Sequence, residues 1–298
     1  MDKATSVGTV ITRREKWGSV VMDMWLRCAV GLELATDSGL SKQRFDAIWD
    51  RTDITESERN TELLKRVFRA PAAQTIGSGV LVESKGLLAL VTAAHVVAEL
   101  SDPNALTRLL VGRRADLDLP IGGISLASPL SAMTQIAVAG VNQDVAVVRI
   151  WPAVQHALND AGFVGLPLSA ISNAVPPVGL AVTAVHFPGA DRAEGPVNPR
   201  GPRPDEPGRV TDRETDRMLI PQISVGQITR APATVAGVTF HAAASIKVGP
   251  GSSGAPVFDS DTGELVGLIA ATDPASIGDD RRHTVALLSS PAHFLPLL

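Results

Sequence analysis

Cysteine is almost missing from this sequence: Cys28 is the only one in 298 residues. A lone cysteine excludes an intramolecular disulfide and any zinc site built on paired cysteines. Tyrosine is absent altogether, and three of the four tryptophans (Trp17, Trp25 and Trp49) lie in the first fifty residues. Beyond them the apolar content is carried by Val, Ala, Leu and Ile, so the N-terminal part reads as built differently from the main body. No apolar run reaches membrane-spanning length; Leu87 to Val97 is too short and contains a histidine. Met1-Asp2-Lys3-Ala4-Thr5-Ser6 forms no apolar signal region, and the early apolar run is broken by Asp23, Arg27 and Glu33. These absences lead to the expectation of a cytoplasmic protein with no membrane partner. Positive charge is in deficit as well. The net charge is −4 and no basic stripe is visible, which argues against nucleic-acid binding. No cofactor and no metal is expected.

What is present is a globular composition, 45% hydrophobic and 19% charged, long enough for one large or two smaller domains. Residues 12 to 69 read as helical. Thr12-Arg13-Arg14-Glu15 fits a capping box, in which the Thr hydroxyl and the Glu side chain satisfy each other's orphan N–H groups. Trp17, Val21, Met24, Cys28 and Leu32 follow at helical spacing. Ser41 caps a short helix carrying Phe45, Ile48 and Trp49. Thr55-Glu56-Ser57-Glu58 is a second capping box, ahead of Leu63, Leu64, Val67 and Phe68. The expected organisation is therefore a helical N-terminal extension over 1–70. It serves either as a structural collar on the main domain or as a docking module for a regulatory protein partner.

From Pro71 onward the pattern turns to short strands. Gly77 to Val82 and Leu87 to Thr92, joined across Ser84-Lys85-Gly86, read as a β-hairpin. Further short apolar runs occur at 109–111, 124–126, 136–138, 145–150, 180–187, 219–228, 238–240, 265–270 and 284–288. Regular short strands between Gly/Pro turns predict an all-β barrel or sandwich. A connector spans Trp151 to Leu168, and Ser290-Pro291 starts a short C-terminal helix or turn. The 189–216 segment breaks the rhythm. It is rich in Pro, Gly and charge, with almost nothing to bury, and loops of that length are uncommon in compact domains.

Three stretches carry chemistry. Thr92-Ala93-Ala94-His95 places a histidine at the end of a strand. Asp144-Val145-Ala146-Val147-Val148 places a carboxylate just before one. Gly249-Pro250-Gly251-Ser252-Ser253-Gly254-Ala255-Pro256 is a turn of small residues with two serines at its apex. Taken alone, that turn is either an ordinary loop or a nucleophile with backbone N–H groups beside it. A hydroxyl needs an imidazole to take its proton, and the imidazole needs a carboxylate to set its tautomer. All three types are present, in the order His, Asp, Ser.

On those three motifs the sequence resembles the chymotrypsin/trypsin-like serine peptidases, over roughly Pro71 to Phe294. The resemblance implies a mainly β fold of two antiparallel six-stranded β-barrels. The first would span about 71–155 and the second about 165–290, within a peptidase domain over 71–298. It implies peptide-bond hydrolysis of a protein or peptide substrate. The implied catalytic residues are His95, Asp144 and Ser253, because the family's Gly-x-Ser-Gly register selects Ser253 over Ser252. The N–H groups of Gly251 and Ser253 would form the oxyanion hole. Gly77-Ser78-Gly79-Val80 and Gly263-Glu264-Leu265-Val266-Gly267 are similar to the glutamyl endopeptidases and to the high-temperature-requirement group. The sequence departs from the latter in showing no C-terminal peptide-binding module.

The resemblance also implies substrate-binding roles for Lys247, at the base of the S1 pocket, and for Thr272, on its wall. Lys247 has two readings. A buried ammonium would favour an acidic P1 side chain, whereas one that points outward or pairs with an internal carboxylate leaves a small neutral pocket. Ala270 stands where the family has a serine beside the catalytic Asp, so orientation of Asp144 is expected to rest on backbone donors. His156, His186, His241, His283 and His293 are read as structural or surface residues, with a reservation for His283 near the pocket. The 189–216 loop occupies the family's autolysis-loop position and is read either as a regulator of access or as a tolerated insertion. Against the peptidase stands one other reading: a binding or scaffold protein of the same fold, inactive until a partner docks.

Overall fold

The described residues begin with a helix that turns directly into a strand. α1 (Gly18–Cys28) runs without a loop into β1 (Ala29–Thr36). The computed structural model describes residues 18–36, 50–56, 58, 74–101, 107–112, 114, 117, 124–140, 143–188, 192–194, 217–276 and 283–298. The first capping box, Trp17, the helix expected from Ser41 and the apolar residues 63–68 lie outside these. The second capping box is present. Thr55 N–H and Oγ–H donate to Glu58 Oε2 at 2.9 and 2.8 Å, and Glu58 N–H returns to Thr55 Oγ1 at 3.2 Å. Those bonds pull the Glu58 carboxyl below its ordinary value.

β1 corrects the helical reading where it covers residues 29–36. It lies between β2 (Gln74–Ser84) and β4 (Thr107–Val111), so residues 29–36 belong to the first sheet of the main domain. The physical reason is a shared spacing. Cys28 and Leu32 are four apart, which suits one face of a helix and equally one face of a strand. Both faces of β1 are covered, with Val30, Leu32 and Leu34 in one core and Ala29 in another. Its second face carries one charged side chain, Glu33, itself buried, so little polar alternation was left for the sequence to display.

The remaining strands of the first half are β3 (Leu87–Thr92), β5 (Ile124–Ala127), β6 (Ile136–Val138) and β7 (Ala146–Arg149). Their order is β5-β4-β1-β2-β3-β7-β6, with β8 (Leu166–Pro167) pairing parallel to the end of β2. Of the two six-stranded barrels expected, the described residues close only one. Among them the first half is a half-barrel sheet whose pairing does not close. The short helix after His95's strand is α2 (Ala94–Val97), and α3 (Pro129–Gln135) joins the two open edges, β5 and β6, so helix stands at the seam where a barrel would have a ladder. The connector after Trp151 is α4 (Pro152–Asp160), a helix started by Pro at its first turn.

The second half does close. It begins with β9 (Ala181–His186), followed by the small β10 (Arg192–Glu194) and β11 (Arg217–Leu219) ribbon. β12 (Gln222–Arg230) then precedes the β13 (Ala233–Val235) and β14 (Val238–Phe240) hairpin. β15 (Ala242–Ala244), β16 (Pro256–Asp259), β17 (Leu265–Thr272) and β18 (Ala286–Ser289) complete the order β12-β15-β18-β17-β16-β9. Alanines fill the tight interior of this barrel, with Ala184, Ala242, Ala244 and Ala255 packed around Ile246, Val257 and Ile269. Between the halves lies a separate layer containing Val91, Val147, Phe187, Leu219, Phe258, Leu268 and Phe294. No helix among the described residues is long and apolar enough to cross a membrane.

α1 straps the halves together. The Trp25 ring stacks on Phe258 of β16 at 4.9 Å between centroids and 8° between planes, and its Nε1–H donates to Gly263 O at 3.3 Å. The carbonyls at the end of α1 would be buried without partners. Arg114 supplies them: its guanidinium donates to Leu26 O and, at 3.1 Å, to Ala29 O. The same group lies over the Phe163 and Phe187 rings at 5.8 and 5.5 Å, so a fully buried cation is held by carbonyls and by aromatic faces. Trp25→Ala leaves a cavity between α1 and the second barrel. Equilibrium urea unfolding is expected to show a loss of about 3–5 kcal/mol; an unchanged midpoint would mean that α1 is not a strap.

Candidate active site

The histidine is presented by a strand end. β3 stops at Thr92, and in the short helix that follows Val96 and Val97 are buried while the His95 side chain faces out, 51% exposed. Asp144 sits just before β7, the strand paired with β3, so the sheet register itself brings the two together. The His95 ring Nδ1 lies 2.8 Å from Asp144 Oδ2, and the His95 backbone N–H donates to Asp144 Oδ1 at 3.0 Å. One carboxylate therefore fixes both the ring and the peptide of the same residue. Since a carboxylate only accepts, Nδ1 carries the proton and Nε2 is left to accept another. The expectation that Asp144 relies on a backbone donor has its counterpart in the His95 N–H.

Asp144 adopts φ of 30°, a left-handed conformation that costs a non-glycine residue of order 1–3 kcal/mol. Its two charge-assisted hydrogen bonds offset that cost. The hydrogen bond to Asp144 raises the His95 pKa above the ordinary imidazole value; partial burial opposes this, and the nearby charge adds to it. Cys28 is no competitor as a nucleophile, because burial pushes its thiol up to about 12.

The serine turn belongs to the second half but is held by the first. Ser78, in β2, donates its N–H to Ser253 O at 2.7 Å and its Oγ–H to Gly251 O at 2.7 Å. The same hydroxyl accepts from Phe187 N–H at 3.0 Å. Gly254, at φ of 83°, presses so closely that a Cβ there would stand 2.2 Å from Ser78 O and 2.8 Å from Ala93 N. The residue after Ser253 thus abuts the residue that opens the histidine's helix. Gly251, at φ of 91°, makes the turn before the serines. Among the described residues the N–H groups of Gly251 and Ser253 donate to no protein acceptor, and the Ser253 Oγ makes no protein hydrogen bond. An oxyanion needs such uncommitted donors.

The structure brings His95 and Asp144 into direct contact and sets the Gly251–Ser253 turn beside them. Lys247, read at the base of the S1 pocket, is exposed. Thr272, half-buried, ends β17. His283 pairs through its backbone with Val248, next to Lys247, and its Nδ1 lies 3.1 Å from Asp273 O. Ser78 escaped the sequence reading, which took Gly77-Ser78-Gly79 as the start of a hairpin; a serine between two glycines in a strand was the available signal. Among the described residues no group of three or more His, Cys, Asp or Glu side chains could hold a metal ion.

A family model described as a trypsin-like peptidase domain matches residues 77–268. No curated protein matches the sequence. Among solved structures the chain is similar to the HtrA-type protease AlgW with a decapeptide, at 13% identity and a TM-score of 0.51, covering 94% of this chain and 65% of that one. It is also similar to a variant of that protease with a tripeptide, at 12% identity and a TM-score of 0.50, covering 93% of this chain and 61% of that one. The chain thus spans less than two thirds of the length of these two proteases. At such identities the likeness concerns the fold.

The His95–Asp144 contact sets an expected titration. The His95 ring should titrate above about 6.5, the value of a free imidazole, and Asp144→Asn should bring it down by removing the group that favours the imidazolium. NMR of the histidine C–H resonances measures both, and an identical titration in the two proteins would contradict the contact.

Proposed function

The chain belongs to the trypsin-like peptidase family, and on that premise we propose that it is a serine endopeptidase acting through His95, Asp144 and Ser253. The observation that carries this is the two-bond grip of Asp144 on His95, with the serine turn held beside it by Ser78. In the proposed reaction the Ser253 Oγ attacks the scissile carbonyl carbon while His95 Nε2 takes its proton. The carbonyl oxygen, now negative, receives the N–H groups of Gly251 and Ser253. One such donor is typically worth about 2.7–4 kcal/mol in the transition state. Asp144 keeps the Nδ1–H tautomer and stabilises the imidazolium without taking the proton. The C–N bond then breaks, the leaving amine takes the proton from His95, and an acyl-enzyme on Ser253 remains. Water enters, gives its proton to His95 and its oxygen to the acyl carbon, and Ser253 is regenerated as the carboxylic acid leaves.

The 189–216 loop enters this reading as a control on access. Most of it lies outside the described residues, but its base is the β10–β11 ribbon, anchored where Leu219 is buried over Gly31 and Gly112 of the first half. Deleting the loop should change hydrolysis of a protein substrate and leave a small ester unaffected; equal rates on both would remove the regulatory role.

The central test is covalent. A fluorophosphonate probe should label Ser253, and Ser253→Ala should abolish labelling and lower kcat by on the order of 10⁶. A folded protein whose Ser253 stays unlabelled would favour a peptidase-fold binding or scaffold protein that is inactive until a partner docks.

A further inference from the structure

Directly behind the serine turn lies a second histidine that the proposed reaction does not use. His186, the last residue of β9, is 1% exposed, and Ser252, the neighbour of the nucleophile, is 2% exposed. His186 Nδ1 lies 2.8 Å from Ser252 Oγ, and His186 Nε2 lies 2.9 Å from Ser224 Oγ. Ser224 Oγ–H in turn donates to Lys247 O at 2.8 Å, and Ser252 Oγ accepts from Gly249 N–H at 3.2 Å.

The directions of these bonds follow from the donor inventory. A hydroxyl has one hydrogen. Ser224 spends its hydrogen on Lys247 O, so it accepts from His186, and Nε2 carries the proton. In the neutral ring Nδ1 is then an acceptor, and Ser252 donates to it. A one-way chain results, from Gly249 N–H through Ser252 and His186 to Ser224 and the Lys247 carbonyl. Every hydroxyl in it both accepts and donates. It ties the segment leading into the turn to the residue just before Ser253. Ser252 is also the pivot of the turn's own hydrogen bonds, since its N–H donates to Gly249 O at 3.0 Å and its carbonyl accepts from Ala255 N–H at 3.1 Å.

We infer that His186 is a positioning residue: by holding Ser252, it holds the Ser252–Ser253 peptide and, through closure of the turn at Gly249, the Gly251 N–H in the orientation that receives the oxyanion. This rests on the serine-endopeptidase reading above. It gives the second serine of the Gly251-Ser252-Ser253-Gly254 turn a role that a spacer would not have. The geometry also separates the two ring nitrogens. Only the Nδ1 side faces the turn, and the Nε2 side faces Ser224.

That separation supplies the experiment. An Asn side chain places a polar atom near the Nδ1 position, whereas Gln places one near Nε2. His186→Gln and Ser252→Ala are expected to lower kcat for an ester substrate by on the order of 10²-fold, with KM within about threefold, as for loss of one oxyanion donor. His186→Asn is expected to keep kcat within about tenfold of the native protein. Hydrogen exchange of the 249–254 amides should be faster in His186→Gln and Ser252→Ala and native-like in His186→Asn. Equal losses in the Asn and Gln variants, or losses that follow the melting temperature alone, would overturn the inference. If both histidine variants fail to fold, Ser252→Ala decides it. Absence of fluorophosphonate labelling in the native protein would instead overturn the endopeptidase reading, while the exchange pattern would still decide whether His186 holds the turn.

Discussion

Ser78 is where the two halves of this protein are joined at the site. Its N–H, hydroxyl and carbonyl all bond to other segments: Ser253 O, Gly251 O and Phe187 N–H, and Thr92 Oγ1. Three of those contacts cross from the first sheet to the second barrel. Each is worth only about 0.5–1.5 kcal/mol net. Their larger effect is restrictive, because the position is fully buried and an unmade bond there would leave a polar group without water. The serine turn therefore has one seat. Gly254 is a consequence of that seating, since any side chain would run into Ser78 O and Ala93 N.

Precision at such a seat requires that the halves not slide past one another. The apolar layer between them supplies cohesion, and the N-terminal segment supplies direction. β1 is built into the first sheet, while α1, immediately before it, lies on the second barrel through Trp25 and Phe258. Arg114 locks the corner between α1 and β1 by donating to the Leu26 and Ala29 carbonyls there. Dispersion and hydrogen bonding thus act together at one hinge point.

The two histidines near the turn show how surroundings divide one chemistry into two tasks. His95 is half-exposed, paired with a carboxylate and raised in pKa, which suits a group that must gain and lose a proton. His186 is buried among hydroxyls, where the bonds on both sides match a neutral ring of fixed tautomer.

Much of this was legible in the residues themselves. The placement of His95 after a strand, of Asp144 just before one and of Ser253 in a glycine turn could be read because each sits beside a local signal, a strand end or a turn residue. The 77–92 hairpin and the Thr55–Glu58 capping box were readable because they are local, set by turn residues and by hydrogen bonds spanning three positions. β1 was not, because a strand buried on both faces shows little alternation, with Glu33 alone marking it, and its four-residue spacing suits a helix equally well. Nor was the open pairing of the first sheet, since closure depends on whether distant edges meet. The partners of Ser78, Ser252 and His186 were decided by tertiary structure alone. Serine and histidine satisfy their hydrogen bonds with whatever the fold brings within 3 Å, and Ser78 with Gly251 or His186 with Ser252 are partners far apart in sequence.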